Sequence, residues 1–132
     1  MRDEDQNKVQ AKNLMEDVSV ELEKCIKCGM CKDLCPVFKI LREEGVSPRG
    51  KSIVLSEKLI GDIIFKCNLC KACEERCPLN LKLCDSFVKA REASVLMNKE
   101  LKQNKDMIEN IRKFGIPMSE RKEGEKGKLY CC

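Results

Sequence analysis

Apolar residues recur at helical steps through most of the chain. Residues 3–24 carry one apolar face among charged positions, formed by Val9, Leu14, Met15, Val18 and Leu22. The same spacing predicts helices over residues 82–98 and 100–113, whereas no segment alternates as a half-buried strand does. In the first of these two segments the residues expected to be buried are Leu83, Phe87, Val88 and Val95. The pattern therefore predicts an all-α fold.

Prolines and glycines mark the expected ends of the shorter helices. Pro36 should break any helix before it, and the apolar residues that follow predict a short helix ending near Gly45. Ser47 and Pro48 are typical of an N-cap and a first helical position. The helix that they begin is expected to continue to Gly61.

A cysteine pattern that occurs twice is the most specific feature of the sequence. The pattern C-x2-C-x2-C-x3-C-P runs from Cys25 to Pro36 and again from Cys67 to Pro78. The two copies agree in every spacing, and this spacing holds [4Fe–4S] clusters in two-cluster ferredoxins. The sequence therefore predicts two [4Fe–4S] clusters.

The spacing also predicts how the ligands are shared. Thiolates at positions i, i+3 and i+6 let one loop bind three corners of a cubic cluster. Once a helix begins, the fourth cysteine lies too far along the chain to bind the same cluster. The first cluster is therefore predicted to bind Cys25, Cys28, Cys31 and Cys77. The second is predicted to bind Cys67, Cys70, Cys73 and Cys35. Gly29 suits such a loop, and Lys71 stands at the matching place in the second copy.

The composition leaves little apolar surface to bury. Aromatic residues make up 4% of the chain and charged residues 36%. Metal bonds that form only in the folded state count as folding free energy, so we expect the chain without its clusters to be poorly ordered. Two oxidised clusters of charge about −2 each would bring the formal net charge of +4 to about zero. The basic charge is therefore no argument for a nucleic-acid partner.

Two other interpretations of the cysteines have less support. A secreted disulfide scaffold would need an apolar signal region, whereas the residues after Met1 are acidic and polar, and we expect a cytoplasmic protein. Zinc held by paired C-x2-C knuckles explains neither the third cysteine nor the following proline. The absence of histidine excludes Rieske centres and histidine-dependent catalysis. No apolar run approaches the ~20 residues of a membrane span, so membrane contact is expected only through a partner.

Some residues outside the two patterns allow two interpretations. Cys84 is predicted to be a small buried residue. Cys131 and Cys132 suit a metal or redox site, or the point at which a longer chain was cut. Arg49 is either a solvated charge or a guanidinium that raises the potential of a cluster. Five lysines either solvate a face beside anionic clusters or form a docking patch for an acidic redox partner: Lys24, Lys27, Lys32, Lys66 and Lys71.

Several blocks together resemble a known family. The chain resembles the α-helical two-cluster ferredoxin domain of heterodisulfide reductase iron–sulfur subunits. The iron–sulfur subunits of anaerobic glycerol-3-phosphate dehydrogenase and of glycolate oxidase share this domain, and those of fumarate reductase and succinate dehydrogenase carry a more distant relative. The resemblance covers roughly residues 20–118 and rests on Cys25 to Gly29, Cys35 to Lys39, Glu44 to Lys51 and Cys67 to Pro78.

The resemblance implies an α-helical ferredoxin with two pseudo-repeated helical lobes around two [4Fe–4S] clusters. It implies a leading helix in residues 1–20, the ferredoxin domain in residues 21–118 and a polar tail in residues 119–132. Many relatives continue into a cysteine-rich CCG domain where this sequence stops, so a disulfide-reducing site of that kind is not expected here. Asn80 stands where relatives often have glycine.

The resemblance also implies a relay of single electrons between a flavin or thiol–disulfide site and a quinone, cytochrome or soluble carrier. We therefore expect an electron-transfer component of a larger oxidoreductase, with a flavoprotein, a CCG-domain protein or a membrane cytochrome as partner. The alternative is a thiol/disulfide reductase that acts through Cys84 or through Cys131 and Cys132, although no base is evident. A third interpretation is an iron–sulfur sensor that unfolds when its cluster is lost.

Overall fold

The computed structural model describes residues 2–117, which form helices and connecting loops without a strand. The predicted all-α fold is confirmed. The predicted tail, with Cys131 and Cys132, lies outside the described residues. Two 3₁₀ segments, Glu44–Val46 and Asp62–Lys66, connect the helices. The helices are α1 Arg2–Glu23, α2 Pro36–Leu41, α3 Pro48–Ser56, α4 Ala72–Glu75, α5 Leu83–Leu96 and α6 Lys102–Phe114.

The core of the first compact unit, residues 1–99, lies where α1 packs against α5 and α3. Val18 and Leu22 on α1, Leu55 on α3 and Phe87 on α5 are buried. Small buried residues lie on both sides of the α1–α5 contact, among them Ala11, Ala90 and Ala93. Because small side chains let helix backbones approach, α1 and α5 form a close pair that supports the loops bearing the cysteines.

The start of α3 is as predicted, and its end is not. The Ser47 hydroxyl accepts a hydrogen bond from the Gly50 amide at 2.9 Å, and Pro48 is the first helical residue. The helix ends at Ser56 rather than at Gly61, because Lys58 takes a left-handed φ of 57°. The Leu59 amide then donates to the Val54 carbonyl at 3.1 Å, which closes the helix as a Schellman cap does.

Two further expectations were wrong in detail. The helix after Pro36 ends at Leu41, not near Gly45, because Arg42 caps it with a left-handed φ of 57°. In α5, Leu83 and Phe87 are buried as expected, but Val88 is 47% exposed and Val95 51% exposed. The face of α5 that meets the core carries small residues in their place, namely Ala90, Ala93 and Ser94.

A second unit begins at Glu100 and contains α6. This helix was predicted over residues 100–113. Its last residue is Phe114, and Gly115 caps it with a φ of 74°. The Gly115 amide donates to the Ile111 carbonyl at 2.9 Å. Lys113 and Glu109 pair along its surface. None of the helices within residues 2–117 is both long enough and apolar enough to cross a membrane. The predicted boundaries at residues 20 and 118 stay predictions.

Candidate metal centres

The two cysteine loops repeat not only in sequence but also in backbone conformation. In the first loop Lys27 and Gly29 take left-handed φ angles of 58° and 82°. In the second loop the matching residues, Leu69 and Lys71, take φ angles of 56° and 61°. These bends curl each loop, so that its first three cysteines face one cavity. The repeat predicted from the cysteine spacing is therefore also a repeat of backbone conformation.

The first cavity is lined by three cysteines of the first loop and one of the second. The space between its lining residues, which includes open solvent, is about 380 Å³. Leu81 and Leu83 form a buried apolar wall, and Arg49 and Ser52 are the polar side chains besides the thiols. The four cysteines are Cys25, Cys28, Cys31 and Cys77.

The second cavity has the complementary set. The space between its lining residues, which includes open solvent, is about 300 Å³. Phe87, Lys51 and Cys84 line it in addition to the motif cysteines. Its four motif cysteines are Cys67, Cys70, Cys73 and Cys35. Each predicted ligand set is thus brought together around one cavity, with the fourth cysteine coming from the other loop. That these thiols hold clusters stays a prediction.

Backbone amides contact two of the sulfur atoms. The Cys35 sulfur caps α2 by accepting from the Phe38 amide at 3.5 Å, and the Cys67 sulfur accepts from the Leu69 amide at 3.4 Å. These bonds fix the direction of the two side chains, which helps to hold a metal group in place.

Burial shifts the pKa of two of the motif thiols. It raises the pKa of Cys31 to about 11, with a smaller contribution from Cys25. Burial also raises the pKa of Cys73, with a further contribution from Cys84. Buried thiols keep their protons unless a cation replaces them, so metal binding here must release protons.

The segment from Glu44 to Lys51 holds the first loop. Glu44 accepts hydrogen bonds from Arg49 at 2.8 Å and from Lys32 at 2.5 Å. These two bonds lower the pKa of Glu44 to about 2. Arg49 also reaches the Lys27 carbonyl at 3.5 Å. The group therefore ties α3 to the loop bearing Cys25, Cys28 and Cys31.

Gly50 is required by close packing of the backbone. A Cβ atom at this position would lie 1.9 Å from the Glu44 carbonyl oxygen. Real Cβ atoms do not approach backbone that closely, so only glycine lets α3 start against the 3₁₀ segment. Ser47, Pro48 and Gly50 thus each have a physical reason within the block that carried the family resemblance.

Lys51 is a functional candidate that the sequence reasoning missed. Its side chain is 1% exposed, lines the second cavity and donates to the Val46 carbonyl. Burial lowers its pKa, and the Cys67 and Cys35 thiols act in the opposite direction. Lysine is almost never fully buried unless it is paired, and no pattern in the sequence distinguished this one from its exposed neighbours.

Arg91 on α5 was also missed. Its guanidinium donates to the Ile64 carbonyl at 3.1 and 2.9 Å and to the Cys67 carbonyl at 2.5 Å. It also lies 5.8 Å from the centre of the Phe65 ring. Arg91 therefore fixes the entry to the second loop from a helix far along the chain, which spacing within the loop does not reveal.

Cys84 is 2% exposed, which confirms that it is a small buried residue. Its amide donates to the Glu74 carboxylate at 2.7 Å, and its side chain lines the second cavity. Two of the exposed lysines near the loops pair with acids on this same chain: Lys24 with Glu21, and Lys71 with Asp85 at 3.9 Å. These pairs support the interpretation of a solvated face.

The cysteines around each cavity supply the donor set of an iron–sulfur cluster. All nine cysteines within residues 2–117 are free of disulfide bonds. In the same residues no group of three Cys, Asp or Glu side chains forms a site for a single metal ion. Four motif cysteines line each cavity, and four thiolates are the ligands that such clusters take.

Residues 21–81 match the family model of the 4Fe-4S dicluster domain. The match supports an iron–sulfur, ferredoxin-like domain. The matched range contains all eight cysteines of the two loops, and a dicluster domain agrees with a count of two clusters. No curated protein matches the chain.

Proposed function

We propose that the chain binds two [4Fe–4S] clusters with exchanged ligands and serves as an electron-relay component of a larger oxidoreductase. The observation that carries this proposal is the pair of cavities, each lined by three cysteines of one loop and the fourth cysteine of the other. When bound, such clusters supply one-electron chemistry at a potential that depends on charge, hydrogen bonds and exposure.

The residues of the chain hold and position the two groups. Cys35 follows Cys31 by four residues, and Cys77 follows Cys73 by the same interval, so each link joins one cavity to the other. Four residues span at most about 14 Å. The exchange therefore keeps the two sites close together, as a relay of electrons needs.

The surrounding residues restrict access of water and position the thiols. Leu81 and Leu83 cover one side of the first cavity and Phe87 one side of the second. The amides of Phe38 and Leu69 donate to sulfur, and Arg91 holds the backbone at Cys67. These contacts give the chain control over the environment of each site without a substrate pocket of its own.

The kind of complex is part of the same proposal. We propose a heterodisulfide reductase-like or a 2-hydroxyacid or glycerol-3-phosphate dehydrogenase-like assembly, with the chain as a cytoplasmic component and not a complete enzyme. Partners of this kind are a flavoprotein, a CCG-domain protein or a membrane cytochrome. The resemblance of Ser47 to Lys51 supports this extension. The proteins that copurify with the tagged chain from its own cells would show which of these three kinds of partner it has.

A direct thiol/disulfide reductase is less well supported for Cys84. Cys84 lines the second cavity and is only 2% exposed, which argues against direct access by a disulfide substrate. Cys131 and Cys132 lie outside the described residues. Replacement of all three by serine should therefore leave the electron-relay activity intact.

The test of the proposed function is the metal content of anaerobically purified protein. We expect brown protein with about eight irons and eight sulfides per chain, as two [4Fe–4S] clusters require. Reduction should give electron paramagnetic resonance (EPR) signals of two clusters. Colourless protein that contains only zinc would contradict the proposal.

A further inference from the structure

Lys51 differs from the other basic residues near the cysteines in its complete burial. Lys51 lines the second cavity together with Cys35, Cys67 and Cys73. It donates to the Val46 carbonyl, and none of the ion pairs found within residues 2–117 includes it. A carbonyl satisfies one N–H of the ammonium but supplies no countercharge.

A buried ammonium group without a countercharge is costly. The negative charge that faces Lys51 is therefore expected from the cavity itself. A [4Fe–4S] cluster with its four thiolates carries about −2 in the oxidised state by charge counting of thiolates, sulfides and irons, and one added electron makes this about −3. A cation fixed beside the cavity favours the more negative state.

The cation at the first cavity has a different environment. Arg49 lines that cavity, but its side chain is partly exposed and is paired with Glu44 at 2.8 Å. The carboxylate cancels much of its charge, and solvent screens the remainder. Two positions at the start of α3 therefore give the first cavity a cation paired with a carboxylate and the second cavity a buried cation outside the ion pairs of the described residues.

Two further cations near the second cavity do not replace Lys51. Arg91 directs its guanidinium to backbone carbonyls at Ile64 and Cys67. Lys71 lines the cavity, but its side chain is largely exposed and lies 3.9 Å from Asp85. Neither combines complete burial with contact to the cavity.

On the basis of the proposed two-cluster function, we propose that the buried ammonium group of Lys51 raises the reduction potential of the second cluster selectively. Lys51 would thus place a positive charge beside the second cluster and would not be one of its ligands. It makes the two clusters inequivalent although their cysteine loops repeat. The electron needed for each reduction comes from the redox partner, or from dithionite in a titration.

The experiment is an EPR-monitored redox titration of the full chain, with iron and sulfide measured on the same samples. The variants are K51M, which removes the charge, and K51R, which keeps it, with R49M as the matched control at the first cavity. In K51M one couple should become at least tenfold harder to reduce, a fall of about 59 mV for one electron. The other couple should shift less.

The controls separate charge from packing. K51R should retain the potential of the sensitive couple within about threefold, and R49M should leave that couple unchanged. Equal shifts of both couples in K51M, or no shift with iron fully retained, would overturn the proposal. Wild-type protein without two clusters would instead contradict the proposed function.

A variant that does not load the second cluster is also informative. K51Q keeps a donor for the Val46 carbonyl while removing the charge, and it replaces K51M if that variant loses iron. Loss of the second cluster in both neutral variants, with both clusters present in K51R, would support a requirement for the charge. Loss in K51R as well would show that side-chain packing is decisive and would overturn the proposal.

Discussion

The two cavities have the same cysteine arrangement but very different surroundings. The first loop lies at the surface, with Ile26 65% exposed and Met30 also exposed. The second loop lies against α5, where Cys73 is buried and Arg91 binds the backbone at Cys67. The repeat therefore specifies which cysteines line each cavity, whereas the helices outside the repeat specify the environment of each cavity.

The cations show the same difference. Arg49 belongs to an exposed group with Glu44 and Lys32, whereas Lys51, two residues later, is buried at the second cavity. Nearby positions on α3 thus serve different cavities. A duplicated motif need not give two equal redox sites, because one helix is enough to make them different.

Removal of the iron should have the largest effect. The core is small and several thiols are buried with raised pKa values, so the loss of metal leaves both cavities without the bonds that hold them. We expect the loss to approach the whole stability of a small domain, ~5–15 kcal/mol. Circular dichroism before and after anaerobic chelation measures it.

Hydrogen exchange can then distinguish the two loops. Amides around Cys73 and α5 should lose more protection than those around Ile26, because the first loop is already exposed. Chelated protein that keeps its cooperative thermal transition would contradict the role of the metal in folding.

Gly50→Ala should be the most damaging single substitution outside the cysteines. The new Cβ atom would lie 1.9 Å from the Glu44 carbonyl oxygen. That oxygen belongs to the backbone, and the backbone of residue 50 fixes the position of Cβ, so side-chain motion cannot relieve the clash. We expect a loss above ~3 kcal/mol, beyond ordinary overpacking. Denaturant unfolding and iron content measure the effect, which should reach both cavities because Arg49 and Lys51 flank this residue.

Gly45→Ala is the matched control for this substitution. Nothing lies within 4 Å of a Cβ atom at that position, and we expect a change within ~0.5 kcal/mol. Similar losses for both variants would show that flexibility of this segment matters and that the close approach at Gly50 does not.

Arg91→Met should damage the second cavity selectively. It removes the donors to the Ile64 and Cys67 carbonyls, and each carbonyl left without a partner costs ~1–3 kcal/mol. Lys89→Met on the same helix is the control, because its exposed pair with Asp17 at 3.8 Å contributes only ~0–1 kcal/mol. Iron content and EPR spectra should show loss at one site, and equal loss at both would contradict this role.

Substitutions at the matching left-handed positions Gly29 and Lys71 should have small effects of opposite sign on stability. Gly29→Ala forces a φ of 82° on a residue with a Cβ atom, which would lie 2.9 Å from Arg49 Nη1, and should cost ~1–2 kcal/mol. Lys71→Gly relieves a φ of 61° and should be neutral or stabilising by ~1 kcal/mol. Denaturant midpoints of iron-loaded protein measure both, and a loss in Lys71→Gly would contradict the shared loop shape.

Much of the fold could be predicted because it depends on local signals. Most of the apolar face of α1 follows from a pattern within a few helical turns, although Val9 at its start is 57% exposed. The cap formed by Ser47 and Pro48 follows from a pattern within one turn. The burial of Val88 and Val95 was predicted wrongly, because their size suggested a core position. The close α1–α5 pair selects small residues instead, and a single sequence does not show how closely two helices pack.

The surroundings of the cysteines could not be predicted in the same way. The grouping of ligands around each cavity follows from spacing and from the shared loop shape. The burial of Lys51 depends on where α3 lies, and the binding of Arg91 to the Cys67 carbonyl joins residues far apart in sequence. Such contacts are properties of the folded chain and leave no periodic signal.

The function proposed for the two cavities depends on the exchange of Cys35 and Cys77 between the loops, and one set of spectra tests it. EPR spectra of reduced Cys35→Ala and Cys77→Ala would be compared with those of Cys28→Ala and Cys70→Ala, which each damage one cluster. Cys35→Ala should match Cys70→Ala, and Cys77→Ala should match Cys28→Ala. The exchange is contradicted if Cys35→Ala matches Cys28→Ala, because each loop would then hold its own cluster.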